Sequence, residues 1–333
     1  MSTKAATMRT ANSEQPLLSR LAHRAKQVSF IYYPVHYLHV ALIFLRRLPR
    51  RTKNFIIWQR FKHFTEFNHD GLNKTEARDK KIIASLTSYP ARINIVPYAI
   101  KSLLRQTMKP DKIILWLGIE QFPDKKLPKI FDKLKECGVD IEFREDIGSH
   151  KKYFFVMQEF PQDIIITFDD DIIYNDNIIE SLYKSYLKHP ECVSAMRVHK
   201  IKFLDDGSIA PYREWEMEYK DSCGIESHIF LATVGAGTLF PPKSLHNEAF
   251  NLDAIKNLCL KADDIWLKFM ELMNGTKVVP ASNICNIPGM LIPGSQKETL
   301  WHKNVNEGRN DSQINAVLEA YNSCNLLEKL KDE

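Results

Sequence analysis

Three acids in a row, Asp169, Asp170 and Asp171, follow the apolar run Ile164-Ile165-Ile166-Thr167-Phe168. Adjacent carboxylates repel one another, and packing alone gives no reason to place them there. A divalent cation would remove the repulsion, and all-oxygen donors suit Mn2+ or Mg2+. A solvated acidic turn is the plainer reading, and for a lone Asp-Asp-Asp it is the better one. A second acidic pair, Asp263-Asp264, precedes Ile265-Trp266-Leu267. At a helix start one acid acts as a cap worth roughly 1 kcal/mol. One cap suffices, which leaves the other acid available as a base.

Other segments supply groups that a diphosphate or nucleoside could use. Ser85, Thr87, Ser88, Tyr89 and Arg92 offer hydroxyls, an aromatic face and a guanidinium suited to a base, a ribose and a phosphate. An ordinary polar loop explains the same residues about as well. Lys151 and Lys152 stand at a helix start, where they pair with a diphosphate or form a solvated face. Gly235 and Gly237 let a ligand approach the backbone closely. Tyr212, Trp215 and Tyr219 suit stacking on a sugar, or a packed flap. Neither G-x-G-x-x-G nor G-x-x-x-x-G-K follows the first strand, which argues against a dehydrogenase and a P-loop enzyme.

The elements that must position these groups alternate strand and helix. Strands are expected at Lys81–Leu86, Lys112–Leu117, Val139–Arg144 and Asp163–Phe168, then at Cys192–Ile201, Phe230–Phe240 and Lys277–Val279. Helices are expected at Val96–Gln106 and Leu127–Cys137, from Lys151 to Glu159, at Asn177–Lys188, from Asp263 to Met273, and from near Asp311. That alternation indicates βαβ units and a mostly parallel α/β sheet flanked by helices. A ligand then binds just outside the carboxyl ends of the strands, where Asp169–Asp171 stand.

The chain has 333 residues and a net charge of +5, unevenly placed. Residues 1–63 hold 12 Lys and Arg against Glu14 alone, a balance of +11, leaving 34 basic and 40 acidic residues, a balance of −6, in the remainder. In 28–45 an apolar and aromatic stretch precedes Arg46, Arg47, Arg50, Arg51 and Lys53, with Phe55, Ile56, Ile57, Trp58 and Phe61 beyond. Basic residues interleaved with large apolar ones describe a segment lying on an anionic membrane, with a single span as the alternative. The apolar content exceeds what phosphate contacts require, so no nucleic acid partner is expected. Two domains are expected, a basic N-terminal extension over 1–78 and a catalytic domain over 79–333. Cysteines 137, 192, 223, 259, 285 and 324 are scattered singly, which suggests neither a zinc site nor a disulfide framework.

Taken together, residues 81–321 resemble bacterial glycosyltransferases of the GT-A fold, family-2-like enzymes of capsule and lipopolysaccharide synthesis. The matching stretches are Ser85–Arg92, Lys151-Lys152, Asp169–Asp171, Gly235–Pro242, Ala262–Trp266 and Asn310–Gln313. The resemblance implies a D-x-D motif at Asp169–Asp171, with Asp169 and Asp171 as metal ligands and His302 in the region of a late histidine ligand. It implies Asp264 as the general base, with Asp263 beside it. Ser85, Thr87, Tyr89, Arg92, Lys151, Lys152, Asp169, Asp170 and Gly237 would hold a nucleotide-sugar donor. The expected function is Mn2+- or Mg2+-dependent, inverting transfer of a hexose to a glycan or glycolipid, on the cytoplasmic face of the bacterial inner membrane. Two alternatives stand beside it. A sugar-nucleotide nucleotidyltransferase would want a glycine-rich loop after the first strand. A non-catalytic membrane-associated scaffold would leave both acidic clusters unexplained.

Overall fold

The computed structural model describes Thr52, 54–62, 67–220, 222–282, 288–295 and 308–331. The chain divides after His63 into two units, earlier than the boundary expected at residue 78. Of the first unit, the described residues 54–62 are helical, and Phe55 and Ile56 expose 60% and 54% of their surface. No described helix is long and apolar enough to cross a membrane, and 28–45 lie outside the described residues. Residues 67–78 belong to the second unit. Asn73 Nδ2 donates to Asp111 Oδ1 over 2.6 Å, and Arg78 pairs with Asp111 Oδ2 at 2.9 Å.

The second unit is built on a seven-stranded sheet. Its strands are β1 (Ile82–Ser88), β2 (Lys112–Gly118), β3 (Asp140–Arg144), β4 (Ile164–Phe168), β6 (Val193–Ala195), β9 (Ala236–Phe240) and β10 (Val278–Pro280), in the order β10-β6-β9-β4-β1-β2-β3. Every pairing is parallel except those of β9, which runs antiparallel to β4 and β6. β1 shows why the sheet lies inside. Ile82, Ala84 and Leu86 enter one apolar cluster and Ile83 enters another, so both faces are covered. Helices α1 (Val96–Leu103), α2 (Ile130–Glu136) and α4 (Ile178–Lys188) bury apolar residues in the first cluster, and α3 (Lys151–Glu159) packs on the opposite face.

Two expected strands divide. Cys192–Ile201 becomes β6 and β7 (Val198–Lys200), and Phe230–Phe240 becomes β8 (Phe230–Ala232) and β9. β7 and β8 pair with each other in a separate two-stranded sheet, as do β5 (Ile172–Tyr174) and β11 (Gly289–Leu291). The helices α5 (Leu252–Leu258), α6 (Asp263–Asn274), α7 (Arg309–Ala320) and α8 (Leu326–Lys331) complete the unit. Gly275, at φ 76°, closes α6 in the left-handed conformation a helix end favours.

Candidate active site

β4 ends at Phe168, so Asp169–Asp171 leave the carboxyl edge of the sheet beside the end of β1. The register between β4 and β9 slips after Thr167, where Thr167 faces Thr238 and Phe168 faces Ala236. Gly237 is the extra residue, at φ +98°. A Cβ there would stand 2.6 Å from Ile178 Cδ1, so this glycine serves a bulge and a close approach of α4. At Gly235 a Cβ would lie 1.8 Å from Asp169 Cγ. The group that approaches the backbone closely here is thus the protein's own carboxylate. Tyr174 locks the same corner, its hydroxyl donating to Gly235 O over 2.6 Å and accepting from Asp169 N at 2.7 Å.

The three acids are divided between two protein cations. Arg92 Nη1 lies 2.7 Å from Asp170 Oδ1 and 3.1 Å from Asp171 Oδ2. Ser88 Oγ donates to Asp170 Oδ2 over 2.6 Å. Lys152 Nζ donates to Asp169 Oδ1 at 2.7 Å and stands 3.2 Å from Asp263 Oδ2. Burial works against the Lys152 ammonium, but Asp169 and Asp263 outweigh it and hold its pKa well above the ordinary lysine value. Burial likewise opposes the Arg92 charge, which Asp170 and Asp171 overcome. Burial raises the Asp170 carboxyl, with Arg92 acting against that rise.

α6 brings the second acidic pair to this cluster. Ser149 Oγ donates to Asp263 Oδ1 over 2.7 Å. Burial would raise the Asp263 pKa, yet Lys152 prevails and the net shift is downward. Asp264 differs. Its Oδ1 accepts from the N–H of Ile265 at 2.9 Å, and loss of hydration, then the charge of Asp263, pushes its pKa up to about 7. Behind the pair, His150 is buried, with Nε2 2.9 Å from Cys259 O and Nδ1 3.0 Å from the Tyr153 hydroxyl. Burial lowers its pKa to about 4, so it is neutral at pH 7.

Of the residues singled out by sequence, Arg92, Lys152, Asp169, Asp170, Asp171, Asp263 and Asp264 come together. Tyr89 lies beside them, its ring centroid 5.7 Å from the Arg92 guanidinium. Ser85 and Thr87 are engaged within the fold. Ser85 Oγ donates to Lys152 O at 2.6 Å and accepts from Trp116 Nε1, and Thr87 Oγ1 donates to Trp116 O at 2.8 Å. Lys151 pairs with Asp146 and donates to Gly148 O at 2.9 Å, away from the acidic triplet. His302 lies outside the described residues. Sequence reasoning missed Ser149 and Tyr174 as supports of Asp263 and Asp169. Ser149 carried a signal in its place two residues before the basic pair, whereas Tyr174 carried none.

No family model and no curated protein matches the chain. Among solved structures it is similar to a 4-diphosphocytidyl-2C-methyl-D-erythritol synthase, at 11% identity and a TM-score of 0.39, over 66% of this chain and 95% of that one. It is also similar to a CMP:2-keto-3-deoxy-manno-octonic acid synthetase complexed with CTP, at 11% identity and a TM-score of 0.36, over 60% and 89%. Both likenesses concern the α/β fold. The expected glycosyltransferase is corrected here, since the structures found carry the names of a synthase and a synthetase. The charge argument for it weakens too, because Arg92 and Lys152 already offset part of the repulsion assigned to a metal.

Proposed function

We propose that this chain is a nucleotidyltransferase that joins a nucleoside monophosphate to a sugar hydroxyl, forming a sugar nucleotide. The observation that supports it is the meeting of the buried Lys152 and the half-buried Arg92 with a carboxyl group poised near neutrality, Asp264. In the reaction the sugar oxygen bonds to the α-phosphorus of a nucleoside triphosphate. The bond from that phosphorus to the bridging oxygen breaks, pyrophosphate leaves, and the hydroxyl proton passes to Asp264. A base with a pKa near working pH is suited to that transfer. Arg92 and Lys152 face the charge that grows on the leaving oxygen. In place of the glycine-rich loop, Ser88-Tyr89 and Arg92 line the end of β1, with Tyr89 as the aromatic face for a base.

A divalent cation fits this arrangement as part of the proposal. Four carboxyl groups, those of Asp169, Asp170, Asp171 and Asp263, share two cations, and the excess is negative. Among the described residues no three His, Cys, Asp or Glu side chains are grouped to hold a metal. Mg2+ commonly uses only one or two carboxylates and takes its other ligands from substrate phosphates and water. Asp169 and Asp171 would hold Mn2+ or Mg2+, which would supply charge neutralisation at the phosphates.

The test is pyrophosphate release with CTP, UTP, ATP and GTP, each with a panel of free sugars, in Mg2+ or Mn2+. One nucleotide and one sugar together should be required, and Asp264→Asn should abolish the release. Release from no pair, or undiminished release by Asp264→Asn, refutes the reading. We also propose that the N-terminal unit rests on an anionic membrane surface. Exposed Phe55 and Ile56 beside Arg60 and Lys62, within a region of balance +11, support it.

A further inference from the structure

We propose that β3 pairs with β3 of a second copy of this chain, antiparallel and centred on Phe143, so that two sheets join across a two-fold axis. The inference is independent of the proposed nucleotidyl transfer.

The two edges of the seven-stranded sheet are finished differently. At β10 the chain closes the edge itself. The Ser227 N–H donates to Val278 O at 3.0 Å, the Val278 N–H to Ser227 O at 3.1 Å, and the Gly224 N–H to Pro280 O at 3.0 Å. β3 forms the other edge, and no described strand pairs with its outer side. Arg144 O accepts from the N–H of Ile119, just past the end of β2, at 2.8 Å. Since backbone groups alternate in direction along a strand, Asp140, Glu142 and Arg144 turn theirs to β2. The N–H and C=O groups of Ile141 and Phe143 therefore point outward. Among the described residues their one partner is the Arg144 guanidinium, which donates to Phe143 O at 3.1 Å and leaves that oxygen a second lone pair. Such a row of open groups is a template for another strand.

Charged side chains commonly guard an edge strand, and Asp140, Glu142 and Arg144 supply them here. Their order of signs decides whether a copy is repelled. Outward residues must oppose outward residues, which leaves three two-fold registers centred within Ile141–Phe143. Centred on Ile141, Asp140 opposes the partner's Glu142. Centred on Glu142, Asp140 meets the partner's Arg144, but Glu142 opposes its own copy. Centred on Phe143, Glu142 opposes the partner's Arg144 and Arg144 the partner's Glu142, with no like charges opposed within the strand. Opposite charges directly across a ladder are favourable and like charges are not. These are also the closer pairs, at about 4.5 Å between Cα atoms. On the other face Phe143 meets its own copy, beside Phe122, whose ring lies 6.4 Å from that of Phe143. Within one chain Arg144 pairs with Glu142 and Glu159, both at 3.0 Å, through side chains that are 36% to 42% exposed. Pairs so exposed add little to the stability of one chain, so the charges can be reversed without loss of the fold.

Analytical ultracentrifugation of the full chain at about 100 μM, well above a micromolar dissociation constant, tests this. We expect the wild type to sediment as a dimer. Glu142→Arg and Arg144→Glu each set like charges opposite one another at both ends of the pairing, so each variant alone should be monomeric. An equal mixture of the two variants restores opposite charges at both ends, and the dimer should return. A thermal melt of each variant excludes loss of fold. In the wild type, exchange at the N–H groups of Ile141 and Phe143 should slow as the concentration is raised from about 1 to 100 μM, a readout that needs no variant. A monomeric wild type, a dimer that survives either substitution, a mixture that stays monomeric, or exchange independent of concentration overturns the inference.

Discussion

Replacing Lys152 by Met removes the one cation that Asp169 and Asp263 share, and the cost can be worked from its distances. Lys152 Nζ lies 2.7 Å from Asp169 Oδ1 and 3.2 Å from Asp263 Oδ2. At an effective dielectric constant of about 20, each attraction is worth roughly 5–6 kcal/mol before desolvation. Desolvation of the ammonium takes back several kcal/mol, and breaking a buried pair on one side typically leaves a net loss of about 3–5 kcal/mol. For a unit of this size that lowers the melting temperature by roughly 10 °C. The sign with pH is fixed. In the wild type the lowered Asp263 pKa adds stability that is present above the unfolded value and lost as pH falls. In the variant the stranded carboxylates titrate at higher pH than in the unfolded chain, so the variant regains stability on acidification. Urea unfolding at pH 8 and pH 5 should show the gap between the two proteins closing at pH 5. A second substitution, Asp263→Asn, should recover part of the loss at pH 8. A gap of less than about 1 kcal/mol at pH 8, as for a surface ion pair, or a gap independent of pH, would refute the reasoning.

Three further outcomes can be measured directly. With Asp264 pushed up to about 7, kcat/KM should rise tenfold per unit of pH below 7 and level off above it, and Asp263→Asn should move that limb to lower pH. Gly235→Ala sets a methyl group 1.8 Å from Asp169 Cγ, so Asp169 must leave its place. The fold should survive on the melt while metal-dependent nucleotide binding drops by an order of magnitude or more. Flotation of the full chain with vesicles should require anionic lipid and weaken as salt is raised, and a chain beginning at Phe64, where the second unit starts, should not float.

The sheet was legible wherever a strand is buried on both faces. β1, β2 and β4 are built around Ile and Leu, with Trp116 and Phe168 among them, and their limits fall within two residues of expectation. Expectation failed where the chain leaves the sheet in mid-run. No turn residue marks the exit after Ala195, because Met196-Arg197 leads directly into β7, a half-buried strand of another sheet. The division of Phe230–Phe240 occurs around Gly235, where a glycine was seen but its partner, Asp169, was not. The acids themselves were found from type and spacing. Their cations were read as phosphate ligands, because Arg92 is 78 residues from Asp170 and no local pattern announces that pair.

The sequence could not choose between Asp263 and Asp264, which are identical in chemistry and adjacent at a helix start. Successive residues on a helix point about 100° apart, and that rotation decides their partners. Asp263 turns to α3 and the turn just before it, where Ser149 donates to one oxygen and Lys152 of α3 stands against the other. Its Oδ1 is hydrogen-bonded and its buried Oδ2 faces the Lys152 charge, and the net effect keeps that carboxylate ionised, so it is a poor proton acceptor. Asp264 turns away from those partners. Its resolved hydrogen bond is to the N–H of Ile265, and the charge that bears on it most is that of Asp263. The ionised neighbour therefore acts on the base through space, making protonation of Asp264 easier while itself remaining a carboxylate. In the proposed reaction Asp264 takes the proton, and burial and then the charge of Asp263 set the pH at which it can do so.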